Sequence, residues 1–426
     1  MSTIQPTRSA YAHAGVILLL VAVLAACGGS SGKSKASGSG SGTSTAAVTK
    51  PCPGTPLKFM TIIAISGPLG DAGQRTKTGT EAAVDAVNRD CALGRPLEVT
   101  ICDDKADANA SLACGRKAAS NGTLAILGSV GSFDDGVNAS KLPEVYGNGT
   151  SSFELTNPKA YSSISGLALG ISATTAVKAK GAKSSTLVLP DTPTLQFAGK
   201  LVQQAAGLLN LKVYPLYFPQ DTTDFAPLAA QIDGKHADAT GMLPINPVVM
   251  INALAAEGLT PSKKIMVVPS ATITPDIMKQ LGKSLNGMLV VSQTAPPTDT
   301  ANPGIAEFRA DMKADGHDPD SPNVDFSTVT AWSNVKKLEG ALLAVSPAVR
   351  ASLDSKSLVD AVVANPIERP EAAPYDFRNA NQLPELPALA SFRVFTREVA
   401  VLQIENGRYR TLSDGFIDIL KPPQIK

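Results

Sequence analysis

Five cysteines and three histidines are the residues of this 426-residue chain best suited to covalent, metal or redox chemistry. The histidines, His13, His236 and His317, lie far apart, and none stands in a nucleophile or zinc-ligand spacing. No Gly-x-Ser-x-Gly elbow and no His-Glu-x-x-His occurs. Asp103-Asp104-Lys105-Ala106-Asp107 begins like a calcium loop, but Ala108 and Cys114 stand where such a loop needs Gly and Glu. Those acids read instead as a strand end followed by a helix start, where carboxylates cap free N–H groups. Gly32-Lys33-Ser34 ends like a phosphate loop, yet the first glycine of that motif would fall on Cys27. Neither an enzyme, nor a metal site, nor a cofactor is expected.

Charge and composition narrow the classes further. Lys+Arg is 38 and Asp+Glu is 37, so no basic excess exists to neutralise phosphates, and nucleic-acid binding is disfavoured. With 43% hydrophobic and 18% charged residues, the chain can bury a large core. Arg8 precedes an apolar run, Gly15 to Ala26, that ends in Leu24-Ala25-Ala26-Cys27. The run is shorter than the roughly 20 residues of a membrane span and has the layout of a signal peptide. The tetrapeptide resembles a bacterial lipobox, in which the Cys27 thiol would receive a diacylglycerol and become the first residue. An ordinary export signal with a chance Cys27 is the alternative. Residues 27–51 are mostly Gly, Ser, Ala, Thr and Lys and read as a flexible tether. Loss of residues 1–26 removes Arg8 and no acid, so a lipid rather than a basic patch would hold the protein at the membrane. Asn-x-Ser/Thr triplets at Asn109, Asn121, Asn138 and Asn148 have no glycosylation role behind such a signal.

An exported chain invites disulfides. Lys58–Ile65 and Leu97–Ile101 read as strands, and Gln74–Asn88 and Ala106–Ser120 as helices. In this β-α-β-α order the start of strand one and the end of helix one share one edge. That predicts a Cys52–Cys91 bond. The end of strand two and the start of helix two share the opposite edge, predicting Cys102–Cys114. Four buried free thiols are the alternative.

Further strands are expected at Leu124–Leu127, Thr186–Leu189, Val213–Tyr217, Ala239–Leu243, Ile265–Val268 and Met288–Val291, with helices such as Leu195–Leu209 and Pro247–Glu257 between them. Strands alternating with helices argue for parallel sheets covered on both faces, and the length argues for two lobes. Residues 296–304 and 314–323 read as surface loops, and 364–390, with little periodicity, as a long Pro-rich excursion. Phe392–Phe395 and Ala400–Glu405, with Asn406-Gly407 as a turn, read as a late hairpin.

A family resemblance rests on ordered motifs between about residues 55 and 345. These are Ile65-Ser66-Gly67-Pro68-Leu69-Gly70, Gly73, Gly79-x-x-x-Ala83, Asn88, Asp103-Asp104, Gly128-Ser129-Val130-Gly131-Ser132 and Leu155-Thr156-Asn157-Pro158. Asp224-Phe225 and Ala255-Ala256-Glu257-Gly258-Leu259 continue the series. Together they resemble the branched-chain amino-acid (Leu/Ile/Val)-binding proteins, type I periplasmic solute-binding proteins of ABC transporters. The resemblance implies an α/β fold of two Rossmann-like lobes with parallel sheets and a three-crossing hinge. Lobe I would be 52–168 plus 293–390, and lobe II 169–292 plus 391–426.

The same resemblance implies a ligand between the lobes, touched by Ser66 in the first loop, Ser132 at the α-carboxylate and Thr156 at the ammonium–carboxylate pair. Its departures concern the pocket. Ala72 and Leu195 replace aromatic residues, Ser270 falls where a carboxylate would meet the ammonium, and Asp134 and Asp135 follow Ser132. Acids at that point would repel a ligand carboxylate unless they face solvent. The expected function is a lipid-anchored, monomeric, extracytoplasmic protein of the cell envelope. It would capture a small polar solute, such as an amino acid, for ABC permease subunits. A sensor or co-receptor acting through a membrane partner, and an envelope lipoprotein that binds nothing, are the rivals.

Overall fold

The sequence LKFMTII at Leu57–Ile63 is almost wholly buried, as expected of a strand covered on both faces of a parallel sheet. It forms β1 of a computed structural model that describes residues 52–67, 70–129 and 135–425. The expected signal, the tether, Cys27, Ser132 and Asp134 lie outside the described residues. After β1 come α1 (Gly70–Asp90), β2 (Leu97–Asp103), α2 (Ala108–Ser120) and β3 (Ala125–Leu127). Then follow α3 (Asp135–Ser140), β4 (Glu144–Gly147), α4 (Ser152–Thr156) and β5 (Ala160–Ser162). The five strands form a parallel sheet in the order β2-β1-β3-β4-β5.

The chain then crosses to a second lobe. Here α5 (Gly166–Ala179), β6 (Ser184–Pro190), α6 (Pro193–Leu208), β7 (Lys212–Phe218) and α7 (Ala226–Gly234) alternate. They continue as β8 (Ala239–Met242), α8 (Pro247–Ala256), β9 (Ile265–Pro269), α9 (Pro275–Leu281) and β10 (Leu289–Ser292). Back on the first lobe lie α10 (Pro303–Ala314), α11 (Phe326–Leu343), α12 (Pro347–Ala351) and α13 (Ser355–Ala364). Trp332, Leu338 and Leu342 of α11 join the core that holds Phe59, Ala83 and Val87. A third passage leads to β11 (Glu398–Glu405), β12 (Arg408–Thr411) and β13 (Ile417–Asp418). The second sheet runs β12-β11-β10-β9-β8-β6-β7 and is mixed, because β11 is antiparallel to β10, β12 and β13.

Local chemistry explains the element ends. Asp107 caps α2 through the Ala110 N–H, Ser165 caps α5 through Ala168, and Asp325 caps α11 in a capping box with Thr328. Two glycines of the family motif mark close backbone approaches. A Cβ on Gly73 would lie 1.9 Å from the Ala64 carbonyl oxygen, and one on Gly79 2.1 Å from that of Thr328, so α1 can seat against β1 and α11 only with glycine there.

Both expected disulfides are present. Cys52 pairs with Cys91 at a Cα separation of 5.3 Å, and Cys102 with Cys114 at 5.8 Å. The hairpin expectation needs correction. Its turn, Asn406-Gly407, has positive φ at both residues (51° and 74°), as a type I′ turn demands, but it joins β11 to β12. Phe392–Phe395 forms no strand; Val394 makes only a single bridge, to Asn381.

The Pro-rich excursion lies along the hinge passages. Ala372 bridges Thr294, the Ala295 N–H donates to the Glu371 carbonyl at 2.7 Å, and the Asp376 N–H to that of Phe395 at 2.9 Å. Tyr375 and Phe377 pack with Tyr146, and Phe377 with Tyr161 and Phe395. Leu383, Leu386 and Leu389, within the stretch expected in lobe I, pack into the second-lobe core.

Candidate functional site

In the first sheet the strand order reverses at β1 and β3. Connections that leave a parallel sheet to opposite faces open a crevice beyond the carboxyl ends of the strands there. A cavity of about 300 Å³ occupies that crevice and faces the second lobe. Ile63 and Ala64 end β1, Gly128 follows β3, and Ala72, Gly73 and Thr76 come from the first turns of α1. The second lobe adds Leu169 of α5, and Ser270 and Ala271 after β9. Ser292, Gln293 and Thr294 form the passage after β10, and Phe326, Thr330 and Asn334 lie on α11.

Every described residue lining the cavity is uncharged. Polar capacity comes from hydroxyls and side-chain amides, and part of it is used within the protein. Asn334 is engaged at both amide atoms: its Nδ2 donates to the Tyr146 carbonyl at 2.9 Å and its Oδ1 accepts from Ser163 Oγ at 2.9 Å. Ser292 Oγ accepts the Thr294 N–H at 3.1 Å. Two amide atoms differ. Gln293 Nε2 and Asn148 Oδ1 are buried without a hydrogen-bond partner.

The Asn148 loop is shaped by a carboxylate. Glu154 Oε1 accepts the N–H groups of Asn148 and Gly149 at 2.7 and 2.9 Å, and Oε2 those of Thr150 and Ser151 at 2.9 and 3.1 Å. Glu154 is itself held by the capping box of α4. Four charge-assisted bonds fix the loop that presents Asn148 and Thr150 to the cavity.

Of the ligand residues expected from sequence, the structure brings Ser270 into the cavity lining. Ser66 is exposed and outside it, with its Oγ donating to Asp103 Oδ2 at 2.5 Å. Thr156 is also exposed, at the end of α4, and Thr150 lines the cavity in its stead. Ala72 lines the cavity with a single methyl group. Leu195 packs against the second-lobe core instead. Asp135 is exposed at the start of α3, away from the cavity lining. Sequence reasoning missed Gln293 and Asn148. The only signal for Asn148 was an Asn-Gly-Thr triplet read as a modification motif, and Gln293 had none.

Contacts between the lobes surround the cleft. Arg75 of α1 lies 4.0 Å from Asp276 of α9 and 3.7 Å from Asp325. Burial pushes the Asp325 carboxyl up, and Arg75 pulls it back down. Phe326 stacks edge-on against Tyr409 at 5.0 Å, and the Tyr409 hydroxyl donates to the Ile273 carbonyl at 2.8 Å. Behind the hinge, Arg369 Nε and Ser333 Oγ donate to the buried Glu371 Oε1 at 2.9 and 2.7 Å. Burial also lowers the nearby Lys337 ammonium to about 8, with Glu371 opposing the shift.

Among the described residues, no group of His, Cys, Asp and Glu is placed to hold a metal, and no helix is long and apolar enough to cross a membrane. The described cavity lining contains no His, Cys, Lys, Asp or Glu.

A model of the periplasmic binding proteins matches residues 56–405. No curated protein matches the chain in sequence. Solved structures share the fold at low identity. An extracellular ligand-binding receptor from Verminephrobacter eiseniae is 19% identical with a TM-score of 0.69, over 84% of this chain and 100% of that one. A Rhodopseudomonas palustris solute-binding protein in complex with 4-hydroxybenzoate is 19% identical with a TM-score of 0.67, over 87% and 98%. A fatty acid ABC transporter substrate-binding protein from Thermomonospora curvata is 15% identical with a TM-score of 0.66, over 89% and 97%. The family match takes in the first sheet, strands β6 to β11 of the second and the residues lining the cavity. The chain belongs to the periplasmic binding protein family.

Proposed function

We propose that this protein is the receptor component of an ABC importer, held to the outer face of the cell membrane by a lipid on Cys27 and acting as a monomer. The tether of residues 27–51 would let the two lobes, 52–168 plus 293–382 and 169–292 plus 383–426, reach a permease while staying at the surface. A solute enters the open cleft, both lobes close on it, and the permease takes it from the closed form. The observation that carries this reading is the cavity at the strand ends of the first sheet, walled by residues of both lobes and of the hinge passage at 292–294. Proteins of this fold are named for aromatic acids and for fatty acids, so the fold leaves the solute open.

The test is thermal unfolding against a broad panel of amino acids, amides, short peptides, organic acids and sugars. A ligand at 100 times its dissociation constant adds about 2.7 kcal/mol, a shift of several degrees. Binding by one chemical class supports the receptor reading; no shift with any solute overturns it. The anchor is tested separately. Wild-type protein should sediment with membranes, and Cys27→Ala should be released.

A further inference from the structure

The cleft carries one strongly placed, unused donor. Gln293 is 3% exposed and lines the cavity. Its Oε1 accepts the Ser165 N–H at 2.8 Å. An N–H can only donate, so this bond fixes which amide atom is oxygen and leaves Nε2 as the NH₂ group. That NH₂ has no acceptor in the protein. A buried donor without a protein partner is met by an ordered water or by a ligand atom. Asn148, whose Oδ1 is equally unpartnered, adds a second amide on the first-lobe wall. The remaining wall is apolar, with Ile63, Ala64, Ile164, Leu169 and Phe326.

No described lining residue carries charge. Ser270 and Ala271, on the second-lobe wall, are likewise uncharged. A zwitterion or anion moved from water into this space would leave its charge uncompensated.

We infer that the cleft selects a neutral solute with an apolar body, which presents a carbonyl-type acceptor to Gln293 Nε2. The inference rests on the receptor reading above and gives it a ligand class. Gln293 is then a specificity-determining residue. Its place on a hinge passage means that the same side chain which meets the ligand also joins that passage to the cap of α5.

The test titrates the full-length protein calorimetrically with two matched sets. One is methyl benzoate, benzamide, benzoate and phenylalanine. The other is methyl 4-methylpentanoate, 4-methylpentanamide, 4-methylpentanoate and leucine. The esters and amides should bind at least about a hundredfold more tightly than the anions and amino acids of the same skeleton. Equal or tighter binding of an anion or an amino acid overturns the inference and leaves the receptor reading standing. Silence from all eight probes also overturns it; the receptor reading falls only if the broad panel is silent too.

Gln293→Glu isolates the donor, because it keeps an oxygen for the Ser165 N–H and replaces the NH₂. At pH 8 the ester affinity should fall at least about tenfold. It should return as the pH is lowered and the buried carboxyl gains a proton to donate. A purely structural role for Gln293 gives no such recovery, and unchanged ester affinity at pH 8 removes Gln293 from the inference.

Discussion

Gln293 Oε1 and the Ser165 N–H, 2.8 Å apart and buried, join two of the three passages between the lobes. Ser165 in turn caps α5 through the Ala168 N–H, and the Gln293 carbonyl accepts from Ala373 at 2.8 Å. One glutamine thus spans the start of the second lobe, the cavity and the Pro-rich excursion. Gln293→Ala leaves the Ser165 N–H buried without an acceptor. The expected cost is about 1–3 kcal/mol in denaturant unfolding. An unchanged midpoint at unchanged slope would show that the bond contributes nothing to the hinge.

The two disulfides should differ in worth. Cys52–Cys91 closes a separation of 39 residues and Cys102–Cys114 one of 12. Chain entropy assigns about 4 kcal/mol to the longer loop and about 3 to the shorter. Cys52→Ala/Cys91→Ala should therefore be the less stable double variant, by about 1 kcal/mol. Equal losses would point to enthalpic rather than loop-closure stabilisation.

Arg75 meets two acids of unequal importance. Its side chain is 9% exposed, against 61% for Asp276 and 12% for Asp325. Asp276→Asn should cost under about 1 kcal/mol, as exposed ion pairs do. Asp325→Asn keeps a good helix cap but leaves a buried guanidinium uncompensated, and about 3 kcal/mol or more is expected. Similar small effects in urea titrations of both variants would mean that water reaches Arg75.

Lys337 gives a pH signature. Burial sets its folded pKa at about 8, below the 10.5 of an exposed lysine. The unfolded chain binds the extra proton between those values, so stability rises with pH across this window. The Lys337 contribution is complete above 10.5 and lost as pH falls through about 8. Its size is of order 3 kcal/mol. Lys337→Met should flatten the difference between stability at pH 7.5 and pH 10.5, and parallel curves for the two proteins would show that the ammonium is solvated.

Much of the architecture was legible because its signals are local. Helix α8 and strands β6 to β10 fall within a residue or two of the positions read from apolar runs and caps. The disulfides follow from element order alone. Strand β12 escaped notice because its pattern is exposed and polar, Arg-Tyr-Arg-Thr, so no buried face marks it as a strand. Strands β4 and β5, of four and three residues, are too short for periodicity to register.

The cleft was less legible. Ser270 lines the cavity, whereas Ser66 and Thr156, each within a quoted motif, are exposed outside its lining. The orientation of the 148–151 loop depends on Glu154 gathering four N–H groups, a contact no spacing rule encodes. By itself, the sequence determined two α/β lobes and two disulfides in the first of them, because backbone propensity, capping and motif spacing act over a few residues. Only the tertiary structure decided that the described cavity wall is uncharged and that Gln293 keeps a free donor there. Those properties arise where segments more than a hundred residues apart meet, as Ser165 and Gln293 do, and they depend on which partners burial leaves unpaired.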